Sequence, residues 1–374
     1  MASVERRDGR AAPWQVRYRD PEGNSRSRQF ARKVDAQRFL VEVEHGKNVG
    51  GYVDPAAGKV TFGAFAEQWL ASQTFDVATR VQVESRLRVH VLPTLGDMEL
   101  RAIRPSTVQA WVRGRADELA PGTVKVLLYR VAGIFGAAVE DGLIVTNPCA
   151  SRSVSAPRVE DKRIIPWTAA QVRAVVAAHP DRYRAVPIVA AGCGLRQGEV
   201  FGLRVSDVVF LRHRLHVRQQ VKLVSGHGGP FVAPPKRGKL REVPLADTVA
   251  EAVAEHLRVY PAGDDGLVFA DTDGGLVNRD RYNRDVWKPA LVEAGMEPTR
   301  ANGMHALRHY FASVLLDAGE SVRALAEYLG HTDPGFTLRT YAHMLPASED
   351  RTRRAVDAAL STSRVPQVSQ SADS

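Results

Sequence analysis

Apolar and polar residues alternate from Trp14 to Arg19. Trp14, Val16 and Tyr18 fall on one face and Gln15, Arg17 and Arg19 on the other, the period of a half-buried strand. Asp20-Pro21-Glu22-Gly23-Asn24 is a turn signal, and Ser25 to Phe30 forms a second extended run carrying Arg26 and Arg28. From Val34 to His45 the period lengthens to that of a helix, with Ala36, Phe39, Leu40 and Val43 as its apolar stripe. Residues 1–60 therefore read as a small β-rich unit.

Residues 61–150 read as all-helical. Thr61 is placed to cap a helix over Phe62 to Ser72 whose stripe is Phe65, Trp69 and Leu70. A second helix is expected from Thr79 to Val91, ahead of Pro93, made basic by Arg80, Arg86, Arg88 and His90. Pro105-Ser106-Thr107 opens a third through Arg115, and Pro121-Gly122-Thr123 a fourth to Asp141, with Gly142 as its stop and Asn147-Pro148 closing the unit. Residues 151–163 (S-R-S-V-S-A-P-R-V-E-D-K-R) have no apolar period and form the expected linker. Residues 164–350 form a mixed unit: helices, short strands between Val208 and Leu245, then helices again. Residues 351–374 are expected to be a partly disordered tail.

Length and charge sharpen this picture. At 374 residues the chain suits two or three domains. Lys and Arg number 51 and Asp and Glu 42, so the formal charge is 51 − 42 = +9. Residues 1–60 alone carry 12 − 8 = +4. Such a balance favours a polyanion partner, nucleic acid before membrane. Each basic face also fits a merely solvated surface. The sharper reading sends Arg17, Arg19, Arg26 and Arg28 of the sheet into a DNA groove and sets Arg86 and Arg88 of the helical unit against DNA. The charge-free stretch Ala185 to Leu195, in the middle of the chain, is well short of the roughly 20 apolar residues of a spanning helix. The N-terminus lacks the apolar core of a signal peptide, so a soluble cytoplasmic protein with no membrane partner is expected. Cys149 and Cys193 lack C-x-x-C spacing and read as two core residues in a reducing compartment.

The candidate chemistry lies in four stretches of the third unit. In G-C-G-L-R-Q-G-E, Arg196 and Glu199 stand three apart, so on a helix the carboxylate can orient the guanidinium. P-K-R-G-K-L-R-E-V-P-L, residues 235–245, reads as a β-hairpin turning at Gly238, with Lys236 able to protonate a leaving oxygen. In H-A-L-R-H-Y, His305, Arg308 and His309 share a helix face. The pattern is not H-E-x-x-H, so no metal is expected. Finally, Ser321 to Leu329 reads as a helix closed by Gly330, placing His331 just past its end and Tyr341 in or near the next helix. Singly, each stretch fits a surface ion pair, a solvated loop or a core residue.

Together they compose a phosphoryl-transfer site built around a tyrosine. Two guanidiniums can bind a phosphate bidentately and stabilise the charge that builds on its oxygens. Nearby cations lower the pKa of a phenol, and histidines can relay its proton. With arginines and a lysine in that role, neither divalent metal nor cofactor is required, and the chain has no Walker A loop.

These motifs closely resemble the tyrosine recombinase family, in particular phage-type integrases of actinobacterial character. G-L-R-Q-G-E-V-F-G-L-R-V-S-D resembles the first arginine box, and P-K-R-G-K-L-R-E-V-P-L the hairpin lysine loop. H-A-L-R-H-Y-F-A-S resembles the second arginine box, and L-G-H-T-D-P-G-F-T-L-R-T-Y-A-H the segment ending in the nucleophile. The resemblance implies that Tyr341 attacks the scissile phosphate, forming a 3′-phosphotyrosyl link and freeing a 5′-hydroxyl. It implies that Arg196 and Arg308 clamp the phosphate and that Lys236, or nearby Lys239, protonates the departing oxygen. His305 would then serve in acid–base work, His331 would hydrogen-bond the phosphate, Glu199 would support and His309 would be structural.

The implied layout is multidomain. An arm-type DNA-binding domain at 1–60, a three-stranded sheet plus helix, precedes an all-α core-binding domain at 61–150. A linker at 151–163 leads to a mixed, mainly-α catalytic domain with a small antiparallel sheet at 164–350. The implied partners are double-stranded DNA attachment sites, engaged by a homotetramer on two duplexes through a Holliday junction, together with DNA-bending and directionality factors. The alternatives are a Xer-like resolvase, a type IB topoisomerase or a non-catalytic DNA-binding relic.

Overall fold

Three strands, β1 (Ser3–Arg6), β2 (Trp14–Arg19) and β3 (Ser25–Phe30), form an antiparallel sheet in that order. The computed structural model describes residues 3–7, 9, 11–19, 25–48, 57–160 and 163–344, with 353, 356, 357, 359 and 360. The turn read at 20–24 and most of the tail lie outside them.

The register pairs Val16 with Arg28, Tyr18 with Arg26 and Trp14 with Phe30. Residues directly opposite share a face, so Arg26 and Arg28 lie on the face that packs on helix α1 (Lys33–Asn48). Arg28 stacks over Phe30 and Phe39 at 5.4 and 5.0 Å from their ring centroids. Only Arg17 and Arg19 of the four arginines occupy the open face, which corrects the reading that grouped them. Gln15, read as outward and solvated, is buried there between Glu5 and Gln29.

The helical unit comprises α2 (Phe62–Ser72), α3 (Val77–Arg86), α4 (Leu92–Leu95), α5 (Pro105–Glu118) and α6 (Pro121–Glu140). Thr61 caps α2, its hydroxyl accepting from the Ala64 amide. Pro93 does not end the second helix as expected. A π turn over Leu87–Val91 links α3 to α4, and Leu92 N bonds Leu87 O, so the ladder has already shifted where proline lacks its N–H. Arg86 is half-buried and Arg88 exposed on this rod. α6 is long and apolar enough to cross a membrane by length and composition. Its Val124, Leu127, Val131, Ile134, Phe135 and Ala138 are nevertheless buried in the core of this unit. The first part of the expected linker is tied to the same core, through Val154 and a bond from Ser155 N to Gln109 Oε1.

By contact density the chain divides into Met1–Asp161 and Lys162–Ser374. The second unit begins with α7 (Ala169–Ala177), α8 (Ala185–Cys193) and α9 (Gln197–Phe201). Strands β4 (Val208–Val209), β5 (Arg214–Val217), β6 (Gln220–Leu223), β7 (Pro230–Ala233) and β8 (Arg241–Pro244) follow. Then come α10 (Asp247–Val259), α11 (Arg279–Tyr282), α12 (Lys288–Glu293), α13 (His305–Asp317), α14 (Val322–Leu329) and α15 (Pro334–Tyr341). Residues 235–245 are not a hairpin: β7 pairs with β6, whereas β8 crosses to β5 in the sheet β4-β5-β8. Gly238, at φ +66°, turns the chain between the two sheets. That crossing carries the lysine loop from one sheet to the other.

Candidate active site

Two left-handed glycines set the backbone of the site. Gly194, at φ +63°, ends α8 and throws the chain into α9 with Arg196 at the N-cap. A Cβ on Gly194 would lie 2.4 Å from the Phe311 ring of α13, so the position also fixes how closely these helices pack. Gly330, at φ +65°, ends α14 and delivers His331.

Glu199 ties the first arginine down. Its Oε2 accepts from the Arg196 amide at 2.8 Å and its Oε1 from Arg196 NH1 at 2.9 Å, so backbone and guanidinium are held together. The same carboxylate meets Arg241 of β8 as a two-pronged pair, at 3.0 and 2.7 Å. Burial alone would raise the Glu199 carboxyl. The hydrogen bonds and charge of Arg241, then the charge of Arg196, more than reverse this and hold it at about 2. Arg241 also donates to the Tyr328 carbonyl at 2.7 Å and packs on Gly330. One buried guanidinium thus joins β8, α9 and the end of α14. Arg241 stood among the cations of the lysine loop with no role read for it.

Arg308 of α13 is 1% exposed. Its NH1 donates to the Gly194 carbonyl, and its NH2 to the Leu329 carbonyl and to His331 Nε2 at 3.0 Å. Burial, then the charge of Arg196, pushes its pKa down to about 9. A guanidinium has no acceptor, so His331 Nε2 is the unprotonated nitrogen and Nδ1–H donates to Thr337 Oγ1 at 2.7 Å. Burial followed by the charges of Arg308, Arg196 and Arg241 holds His331 at about 4. In this state its Nε2 accepts from Arg308, so it is not a free donor to phosphate.

Tyr341 ends α15 and is 2% exposed. Its hydroxyl lies 2.9 Å from His309 Nδ1, and the His309 ring packs edge-on against those of His305 and Tyr341. His309, implied by the resemblance to be structural, thus touches the phenol directly. Burial raises the Tyr341 pKa, and the charges of Arg308 and Arg196 oppose it. Burial and the charge of Arg308 hold His309 at about 4. The His305 ring, although exposed at its surface, is pushed down to about 4 by lost hydration and then by the charges of His309, Arg308 and Arg196.

Arg196, Glu199, His305, Arg308, His331 and Tyr341 are therefore brought together. Lys236 is exposed, while Lys239 donates to the His331 carbonyl at 2.9 Å. A cavity of about 490 Å³ opens beside His305, lined by Gln197, Asn283, Lys288 and Arg300. A cavity of about 950 Å³ in the helical unit contains none of these side chains. Among the described residues no three His, Cys, Asp or Glu side chains are grouped to hold a metal ion.

Residues 167–347 match the model of the Phage integrase family, and residues 62–153 that of the Phage integrase central domain. A tyrosine recombinase XerC of Rhodospirillum centenum is 31% identical over 274 residues, covering 68% of this chain and 71% of that protein. The chain belongs to the phage integrase family. A protein named as a prophage phiRv2 integrase of Mycobacterium tuberculosis is 28% identical to this family member over 345 residues, 88% of each chain. In fold, this integrase-family chain is similar to the Tn1549 transposon integrase in complex with transposon right end DNA. The TM-score is 0.68 at 20% identity, over 81% of this chain and 100% of that one. It is also similar to the lambda integrase of a tetramer bound to a Holliday junction, with TM-score 0.58 at 20% identity over 87% and 91%.

Proposed function

We propose that the protein is a site-specific DNA recombinase that integrates or excises a mobile element through a 3′-phosphotyrosyl intermediate. The observation that carries this is the convergence of two arginines, three histidines and one tyrosine on a single spot. The Tyr341 oxygen attacks the scissile phosphorus; the O–P bond forms as the P–O5′ bond breaks. The phenolic proton leaves through the histidines, and Lys236 or Lys239 returns a proton to the 5′ oxygen. Of these lysines, Lys239 is the one held against the His331 carbonyl. Arg196 and Arg308 carry the charge that develops on the non-bridging oxygens. The bond energy stays in the phosphotyrosine, so religation needs no nucleotide.

Residues 1–60 serve as an arm-type DNA-binding domain, 61–150 as the core-binding domain and 164–350 as the catalytic domain. Four copies act on two duplexes through a Holliday junction, in the cytoplasm, with bending and directionality factors as partners. The similar lambda integrase, a tetramer on such a junction, supports this assembly. The test is a nicked duplex copied from the junctions of the element that carries the gene. The native chain traps as a covalent adduct on it, whereas Tyr341→Phe binds the duplex with native affinity and forms none. Adduct formation by Tyr341→Phe would overturn the assignment.

A further inference from the structure

We infer that Arg241 is a positioning residue for the phosphate clamp: it aims Arg196 by sharing Glu199 with it, and it keeps the charge of Arg196 from being cancelled. This rests on Arg196 and Arg308 being the groups that bind the scissile phosphate. Arg241 itself meets no DNA, because its side chain is 2% exposed. Whatever it does for the reaction passes through the groups packed around it.

A carboxylate has about four acceptor sites, and at Glu199 all are taken. The Arg196 amide and NH1 take two, at 2.8 and 2.9 Å, and NH1 and NH2 of Arg241 take the others, at 3.0 and 2.7 Å. Glu199 can therefore neither swing away nor close both its oxygens on the Arg196 guanidinium. Among the described residues it is the one hydrogen-bond partner of that guanidinium, so it sets the direction in which the fork points. The Arg196 side chain is 26% exposed, and its other nitrogens stay open to a phosphate. Charge follows the same arrangement. Arg196 and Glu199 alone would cancel, whereas two guanidiniums and one carboxylate leave one positive charge. The charge that builds on phosphate oxygens in the transition state calls for that surplus.

A second fastening joins this pair to the other half of the clamp. Arg241 Nε donates to the Tyr328 carbonyl at 2.7 Å. A Cβ on Gly330 would lie 3.0 Å from Arg241 Cδ, so the guanidinium rests against the bare glycine that delivers His331. Arg308 ends on the next carbonyl, that of Leu329, and Lys239 on that of His331. Three cations thus converge on the end of α14, where carbonyls lack helical partners and positive charge is favoured. Among the described residues, Arg241 alone of the three also grips Glu199. It is the bolt between the carboxylate that aims Arg196 and the turn that seats Arg308.

The test is single-turnover adduct formation by the full-length protein on the nicked duplex at saturation, with Kd measured alongside. Arg241→Lys keeps the charge but loses the two-pronged grip, and its rate should fall about twentyfold while Kd stays within about threefold of native. Arg241→Gln loses the charge as well, and its rate should fall further, by about a hundredfold. A rate within threefold of native in either folded variant, or a Kd raised tenfold, would overturn the inference. A double-mutant cycle then separates aiming from mere support. With Arg196→Lys in place there is no fork left to aim, so adding Arg241→Lys should cost about threefold or less. The full twentyfold loss in that background would overturn the inference. If the single variants do not fold, Arg241→Met with Glu199→Met replaces the buried pair by apolar chains, a change that commonly preserves stability. It should bind the duplex natively yet form adduct at least tenfold more slowly, and a native rate would again overturn the inference. Failure of the clamp reading is distinct, since Arg196→Lys would then itself react at the native rate.

Discussion

The catalytic unit and the N-terminal sheet both invest heavily in arginine but use it in opposite ways. In the catalytic unit Arg241 and Arg308 are buried, and every partner is fixed in distance and direction. In the sheet Arg17 and Arg19 lie exposed on the open face, and Arg28 leans on aromatic rings. A buried guanidinium acts through geometry, because its neighbours have no water to fall back on. An exposed one acts through its field, which salt screens within about 8–10 Å.

Changes that strike the buried network should therefore have the largest effect. Glu199→Gln leaves Arg196 and Arg241 without their shared counter-charge, and losing one partner of a buried ion pair costs about 3–5 kcal/mol. Urea unfolding should show that loss; a change under about 1 kcal/mol would mean that water reaches the network. Arg196→Lys keeps the charge but not the two-pronged fork. Adduct formation should fall about a hundredfold while the unfolding midpoint hardly moves. A native rate would place Arg196 outside the reacting centre.

Acid should separate the two regions next. His309 and His331 are held at about 4 against an ordinary 6.5, so between those values the unfolded chain binds more protons than the folded one. Their contribution is complete above about 6.5 and is lost as the pH falls toward 4. His305 contributes least because it is exposed. Glu199, held at about 2 against 4.5, gives up its share only below about 4.5. The unfolding midpoint of the catalytic unit should thus decline from pH 6.5 downward, and His331→Asn should flatten the slope. An unchanged slope would contradict neutral, buried histidines. The smallest effect belongs to the sheet. Arg17→Ala with Arg19→Ala should leave stability within about 0.5 kcal/mol and lower the salt dependence of DNA binding by about two in the log–log slope. Arg28→Ala should leave that slope unchanged, and an equal drop would put β3 on the DNA.

What the sequence made legible was local. Thr61, Ser321 and Gly330 announce helix ends by side-chain or backbone chemistry within a few residues, and each ends a helix as read. The arginine, histidine and tyrosine boxes were legible because their spacing is itself helical or loop-bound. What stayed hidden depends on pairing across distance. Arg26 and Arg28 change faces only once the register of β3 against β2 is known. β8 leaves β7 for β5, a choice that no feature of residues 235–245 encodes. Arg241 meets Glu199 across 42 positions, and His309 meets Tyr341 across 32. A cationic loop and a second histidine beside an arginine were the visible traces of both, but only packing gives them partners.

The most direct measurement is to digest the covalent protein–DNA adduct and sequence the linked peptide by mass spectrometry. The account predicts one modified residue, Tyr341, joined through a phosphate to a DNA 3′ end. A linkage at Tyr310 or Tyr328, or attachment to a 5′ end, would contradict it.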